Sequence, residues 1–167
     1  LSLLDIKGVN ELIKAFSIID KKDNNSLLYF VGKGDPSKYK ALASELGVLE
    51  KVFFLGNKSD VAPYLKHADV IACLSGGGGF SMAALEAMSS KRPIVAWDTD
   101  VYRQFNKDVN TMVLVEYNNV PQLADRISAI LKQPGKYSEM SVNANMISHM
   151  FSWENVIKIM DETFNHY

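Results

Sequence analysis

Four consecutive glycines, residues 76–79, stand directly before a segment with the apolar spacing of a helix. The first backbone N–H groups of a helix have no partner inside the helix, and with the helix dipole they form a site for anions. Glycines let a phosphate approach the backbone without meeting a Cβ atom. The segment therefore predicts a phosphate or diphosphate site at a helix that begins near Ser81. A linker, or a structural loop with positive φ angles, is the alternative interpretation.

Two classes of ligand fit this segment, a dinucleotide and a nucleotide sugar. Gly76, Gly78 and Ser81 follow a loose version of the dinucleotide-binding fingerprint, with Ser81 in place of its last glycine. Asp98 ends the next predicted strand, where an acid that binds a ribose would stand. The glycines alone do not distinguish between the two classes.

The elements that must position this segment alternate along the chain. Short apolar runs predict strands over residues 27–31, 51–56, 69–74, 92–98 and 111–116. Apolar residues at helical spacing predict helices over residues 7–20, 37–46, 60–68, 81–90, 120–132, 136–149 and 152–166. This alternation predicts an α/β fold, a Rossmann-like parallel sheet of about five or six strands with helices on both faces. Ligands of such sheets bind beyond the carboxyl ends of the strands, where the glycine segment stands.

Composition and charge exclude several functions. The chain has 167 residues, which suits one domain, and its 18 basic and 19 acidic residues form no basic run, so we expect no nucleic-acid partner. No apolar run reaches the length of a transmembrane helix, and the first residues lack the features of a signal peptide. A single cysteine, Cys73, predicted to lie in the core, is typical of a cytoplasmic protein. The three histidines show no metal-binding spacing, so no metal site is predicted. Since the chain lacks an initiator Met, we expect it to be a fragment or a processed product.

The sequence FSMAALEAMSSKRPIVAWD, residues 80–98, resembles the donor-site segment of retaining glycosyltransferases with the GT-B fold. Those enzymes read Ser-x-x-Glu-Gly-Phe-Gly and then Glu-Ala-Met or similar; the matching residues here are Ser75, Gly79, Phe80, Glu86, Ala87 and Met88. Further segments follow in family order, namely KGVNELIKAF, LLYFVGKGDP, KVFFLG, HADVIACLS, NTMVLV and FSWENVIKIM. The resemblance covers nearly the whole chain. It implies that residues 1–167 are one donor-binding domain, the C-terminal half of a GT-B architecture, with the acceptor-binding N-terminal domain outside this chain.

The resemblance also implies roles for single residues. Glu86 would accept hydrogen bonds from both ribose hydroxyls of the donor, since two carboxylate oxygens match a vicinal diol. Gly79, Phe80 and Ser81 would offer backbone donors to the diphosphate. Lys7 would place a cation on the diphosphate and stabilise the leaving group as its charge builds, which makes it the catalytic residue.

Further donor-binding roles fall on the loops that follow the first two strands. Gly32 and Gly34 would form the tight loop that faces the site, and Lys58 would lie near the nucleotide base. Glu86 itself stands four residues from Met82, which is expected to face the core together with Leu85 and Met88.

Two positions depart from the family pattern. Gly78, also expected to line the donor site, stands where the family carries a glutamate that contacts the donor sugar. Ser2 stands where the family carries an arginine that pairs with the lysine on the diphosphate. Both replacements favour an alternative, a non-catalytic GT-B-like binding or assembly module.

The predicted function is the donor-binding part of a hexosyltransferase that acts on a hydroxyl acceptor with retention of anomeric configuration. No cofactor and no metal are expected, because Lys7 and the helix N-terminus would supply the positive charge that stabilises the diphosphate. The expected partners are the nucleotide-sugar donor and the missing N-terminal domain, through which alone the protein would reach a membrane. The isolated chain is expected to fold without catalysing transfer. A dinucleotide-binding domain remains the less favoured alternative.

Overall fold

The computed structural model of this chain describes residues 8–76 and 81–164, in which strands alternate with helices. The strands are β1 (Leu28–Phe30), β2 (Val52–Phe54), β3 (Ile71–Cys73), β4 (Ile94–Trp97) and β5 (Val113–Val115). The helices are α1 (Val9–Lys22), α2 (Ser37–Glu45), α3 (Ala62–His67), α4 (Met82–Ser89), α5 (Asp100–Arg103), α6 (Val120–Lys132), α7 (Ser138–Met150) and α8 (Trp153–Phe164). The predicted α/β class is confirmed.

Every strand pairing among the described residues is parallel. β1 pairs with β2, with Leu28 opposite Val52, and a separate three-stranded sheet has the order β3-β4-β5. The five strands are thus divided between two sheets where the sequence predicts one. Apolar periodicity identifies a strand, but it does not say which strand edges form hydrogen bonds.

The larger sheet carries helices on both faces, as predicted. Successive side chains of β4 alternate between two apolar clusters because a strand has a side-chain period of two. Val95 and Trp97 belong to the cluster that contains buried residues of α1 and α6. Ile94 and Ala96 belong to the cluster that contains buried residues of α4, α5 and α7. β4 is therefore buried on both sides, which explains its uninterrupted apolar sequence.

Helix α1 joins the two sheets. Its Ala15 and Ile19 lie in the cluster of the larger sheet, whereas Ile13 and Phe16 lie in a third cluster with β1, β2 and α2. Leu12 packs against both clusters. A single amphipathic helix therefore supplies the apolar surface that holds the two sheets against each other.

The smaller sheet keeps one face open. Tyr29 of β1 and Phe53 of β2 stack on each other, with ring centroids 5.0 Å apart, and their side chains are exposed. Phe30 and Val52 point to the buried cluster on the opposite face. The predicted covering of both faces thus holds for the larger sheet, while the Tyr29 face of the smaller one is open within the described residues.

The connection from β4 to β5 contains elements that the sequence did not predict. Helix α5 is followed by a short 3-10 turn at Gln104–Asn106. Tyr102 and Phe105 of this connection are buried in the cluster below β3 and β4. A four-residue helix spans little more than one turn, too short to show a helical period.

The buried thiol of Cys73 gives a direct test of this core. Its side chain is 6% exposed, and burial raises the pKa of Cys73 to about 12. Only the thiolate is nucleophilic, and a pKa about three units above normal reduces its fraction about a thousandfold at pH 8. We therefore expect Ellman's reagent at pH 8 to label the folded chain at least about a hundredfold more slowly than the chain in urea. Complete labelling of the native chain within minutes would contradict this burial.

Candidate functional site

The start of α1 lies at the carboxyl end of β3. Gly8, the residue before α1, has a φ of +69°, and a Cβ atom there would lie 2.5 Å from Leu74 Cβ and 2.7 Å from the Leu74 carbonyl oxygen. Leu74 is the first residue after β3 and is buried. No side chain of the described residues caps the N-terminus of α1. A helix N-terminus of the kind that attracts anions therefore lies beside this end of β3.

The helix that follows β3 along the chain is α4. α4 starts at Met82 after Ser81, whose Oγ accepts a hydrogen bond of 3.3 Å from the Ala84 N–H. Ser81 thus stands at the helix start, as predicted. The other residues predicted to contact the diphosphate lie outside the described residues: Lys7, Gly78, Gly79 and Phe80, together with Ser2.

Glu86 projects from the exposed face of α4. The buried face of this helix consists of Ala84, Ala87 and Met88. Met82, expected in the core, is instead 63% exposed and shares the open face with Glu86 four residues on. The expectation for Met82 is wrong because three other residues at positions i, i+3 and i+4 already cover the core side. The Glu86 carboxylate is solvent-exposed, and within the two described stretches it has no hydrogen-bond or ion-pair partner.

The smaller sheet places the other predicted residues in two adjoining loops. The Gly32 N–H, after β1, donates a 2.8 Å hydrogen bond to the carbonyl of Gly56, after β2. Gly32 and Gly34 have φ values of +156° and +134°, which favour glycine. Lys58 is exposed in the loop that contains Gly56. The structure thus brings Gly32 beside the loop of Lys58, whereas Ser81 and Glu86 belong to the start and the body of α4, which packs on the larger sheet.

Asp98 has a protein partner. Both of its carboxylate oxygens accept hydrogen bonds from the Arg103 guanidinium, at 2.6 Å and 3.1 Å. This hydrogen bonding holds the pKa of Asp98 below its usual value. An acid that binds both ribose hydroxyls turns its two oxygens toward the ligand, whereas both oxygens of Asp98 face the Arg103 guanidinium. The ion pair therefore weakens the dinucleotide interpretation and favours a role for Asp98 in the turn that precedes α5.

Three further residues at this edge were not predicted to have a role. Gly8 lies against Leu74, Tyr102 hydrogen-bonds to Ser75, and Tyr117 packs against Gly76. The glycine before a helix could have indicated the first of these contacts, because glycine permits a close backbone approach. No local pattern indicates the two tyrosines, since each touches a residue far away in the sequence.

Comparison with known proteins identifies the family. A sequence profile described as "Glycosyl transferases group 1" matches residues 2–146. The chain belongs to this family. Within the residues that the structure describes, no helix is long and apolar enough to cross a membrane.

Two curated relatives of this glycosyltransferase chain have named activities. The phosphatidyl-myo-inositol mannosyltransferase of Mycobacterium leprae is 31% identical over 129 residues, which cover 75% of this chain and 34% of the relative. The lipopolysaccharide glucosyltransferase WaaG of Escherichia coli is 30% identical over 129 residues, which cover 76% of this chain and 34% of the relative. The chain thus spans about a third of either relative.

A solved structure agrees in fold. HepE from Anabaena, crystallised in complex with UDP, matches with a TM-score of 0.90 at 20% identity. The match covers 100% of this chain and 47% of HepE. The resemblance to GT-B glycosyltransferases is confirmed for the family and for the α/β fold of this part.

Proposed function

We propose that this chain binds a nucleoside diphosphate sugar and is the donor-binding part of a hexosyltransferase. The observation that carries the proposal is the carboxyl end of β3: α1 begins beside it, and the chain that leaves it leads into α4. On α4 the Glu86 carboxylate is exposed and has no partner among the described residues. Helix N-termini attract the diphosphate, and a free carboxylate matches a ribose diol. The UDP complex of HepE and the names of the two relatives support this choice of ligand.

In this proposal each predicted residue keeps its role. Glu86 binds the ribose, the backbone N–H groups of Gly79, Phe80 and Ser81 bind the diphosphate, and Gly78 lines the donor site. Lys7, directly before Gly8, adds a cation to the same group. Gly32, Gly34 and the loop of Lys58 form the wall toward the base.

The proposed transfer moves a hexosyl group with retention of anomeric configuration. The bond between the anomeric carbon and the diphosphate oxygen breaks, and a bond to the acceptor hydroxyl oxygen forms on the same face of the sugar. The acceptor hydroxyl gives up its proton to the leaving diphosphate. Negative charge builds on the leaving diphosphate, and Lys7 with the helix N-termini stabilises it there. We propose that this chemistry needs no cofactor and no metal, because the protein supplies the positive charge.

In this proposal the acceptor binds to another part of the enzyme. We propose that an acceptor-binding domain precedes this chain in the whole protein, which acts in the cytoplasm and reaches a membrane only through that domain. We propose no nucleic-acid partner. The 167-residue chain alone is then expected to bind donor without transferring sugar.

Calorimetric titration of the chain with UDP, GDP, ADP and NAD tests the ligand class. We expect one nucleoside diphosphate to bind with a Kd in the micromolar to millimolar range, and NAD not to bind, because Asp98 is held by Arg103. Binding of NAD alone would contradict the proposal.

A non-catalytic binding module is the second candidate. Gly78 and Ser2 favour it, because neither can supply the charged contact found at those positions in the family. Failure of all three diphosphates to bind at millimolar concentration would favour this candidate.

A further inference from the structure

One buried hydroxyl contacts a residue on either side of the glycine segment. The Ser75 N–H donates a 3.3 Å hydrogen bond to the hydroxyl oxygen of Tyr102. The side chain of Ser81 acts on the same hydroxyl, because it lowers the pKa of Tyr102 against the effect of burial. Tyr102 is 1% exposed and belongs to the cluster of α4 and β4. Ser75, which follows β3, and Ser81, which caps α4, therefore both interact with the buried hydroxyl of Tyr102.

The entry of the segment is held by a second tyrosine. A Cβ atom on Gly76 would lie 2.3 Å from the Tyr117 hydroxyl oxygen, so Tyr117 lies directly against this glycine. The Tyr117 ring in turn meets the ring of Trp97 edge-on, at 6.0 Å between centroids. Trp97 is fully buried in the core of the larger sheet. The path of the chain out of β3 is thus fixed by side chains from β4 and from the loop after β5.

Ser81 connects this arrangement to the helix start. Its Oγ accepts the Ala84 N–H and so caps α4. A hydroxyl that holds Ser81 also fixes the direction in which the first N–H groups of α4 point. The anion site of a helix start depends on that direction, because the N–H groups and the dipole act along the helix axis.

We propose that Tyr102 is a positioning residue of the donor site, which holds Ser75 and Ser81 so that the start of α4 is aligned with the donor diphosphate. This inference rests on the proposed function. Tyr102 itself is buried and acts through Ser75 and Ser81 rather than by touching the ligand.

The protonation of Tyr102 suits this task. Burial, with Cys73 nearby, raises the pKa of Tyr102 to about 12. The hydroxyl is therefore neutral throughout the physiological range and keeps a proton and an acceptor oxygen for its two neighbours. The alignment is expected to be independent of pH between 6 and 9.

The substitution Tyr102→Phe removes the hydroxyl and keeps the ring that fills the core. We expect it to raise the Kd for the bound nucleoside diphosphate about tenfold and to speed hydrogen exchange of the Ser75 amide about tenfold. Calorimetry measures the first effect, and exchange followed by NMR in the ligand-free chain measures the second. Tyr39→Phe is the matched control, because Tyr39 is fully buried in the cluster of the smaller sheet. We expect the control to change neither quantity.

A double-mutant cycle separates positioning from general stability. If Tyr102 acts through Ser81, the effects of Tyr102→Phe and Ser81→Ala on the Kd are less than additive. Fully additive effects, or a Tyr102→Phe chain that matches Tyr39→Phe in Kd and in exchange, would overturn the inference. If the unaltered chain binds none of UDP, GDP and ADP, the proposed function fails and the donor role of Tyr102 fails with it. The exchange data then still show whether Tyr102 holds the segment.

Discussion

We expect the substitution Gly8→Ala to lower the free energy of unfolding of this chain by about 2–5 kcal/mol. The added methyl group would lie 2.5 Å from Leu74 Cβ and 2.7 Å from the Leu74 carbonyl oxygen, so the start of α1 must move away from β3. The φ of +69° at Gly8 adds a conformational cost for any residue with a Cβ atom. Urea unfolding followed by circular dichroism measures the loss.

Gly47→Ala is the matched control for this substitution. Gly47 has a φ of +73°, close to that of Gly8, but a Cβ atom there would meet nothing within 4 Å. The control should therefore lose only the conformational part, about 1–2 kcal/mol. The difference between the two variants measures the crowding at Leu74. Equal losses in both variants would show that α1 does not press on the end of β3.

The same comparison has a functional counterpart. Displacement of the α1 start also displaces its N–H groups from the end of β3, where we propose the diphosphate to bind. We therefore expect Gly8→Ala to weaken binding of the nucleoside diphosphate at temperatures where the variant is still folded, whereas Gly47→Ala leaves the Kd unchanged.

We expect Glu86→Ala to raise the Kd for the nucleoside diphosphate by about tenfold to a hundredfold, the range for hydrogen bonds to a charged group. The unfolding midpoint should hardly change, because the carboxylate is exposed and bonds to none of the described residues. Calorimetry and urea unfolding of the same preparation give both values.

Two further variants sharpen the assignment of Glu86. Glu86→Gln keeps the shape of the side chain and loses its charge, so we expect a Kd between those of the unaltered chain and Glu86→Ala. Glu139→Ala is the matched control, an exposed glutamate in the first turn of α7. The start of α7 lines one cavity with Asp69 and Pro93, which precede β3 and β4. Glu139 therefore lies near the amino ends of these strands, away from the proposed donor site at the carboxyl end of β3. An unchanged Kd in Glu86→Ala would remove Glu86 from the donor site.

The sequence predicts the strands and the longer helices because each repeats an apolar pattern. α6 begins and ends at the predicted residues, Val120 and Lys132, where Asn119 caps the helix and Pro121 lies in its first turn. Helix α5 has no such pattern, and the division into two sheets depends on edges that no pattern describes. Local chemistry is thus readable from the chain, whereas strand pairing is a property of the assembled fold.

The candidate site also has residues that the sequence predicts and contacts that it does not. Ser81 and Glu86 follow from their place at a helix that begins after a strand, and the structure puts Ser81 at the N-cap of α4 and Glu86 within α4. The error at Met82 arises because α4 covers the core with Ala84, Ala87 and Met88, and Met82 lies on the opposite, open face of the helix. The contact between Ser75 and Tyr102 joins residues 27 positions apart, and only the folded chain brings them together.

The role of α1 between the two sheets has a consequence for how the molecule opens. Among the described residues the sheets share no strand pairing, so their mutual stability comes from the apolar side chains of α1, with Leu12 in contact with both clusters. β1 and β2 form two edge strands with one open face, whereas β4 is enclosed on every side. We therefore expect stability to be unevenly distributed, with β1 and β2 opening at a lower free energy than the β3–β5 sheet. Because Gly32 and Lys58 follow these strands, the proposed wall toward the base would belong to the part of the molecule that opens first.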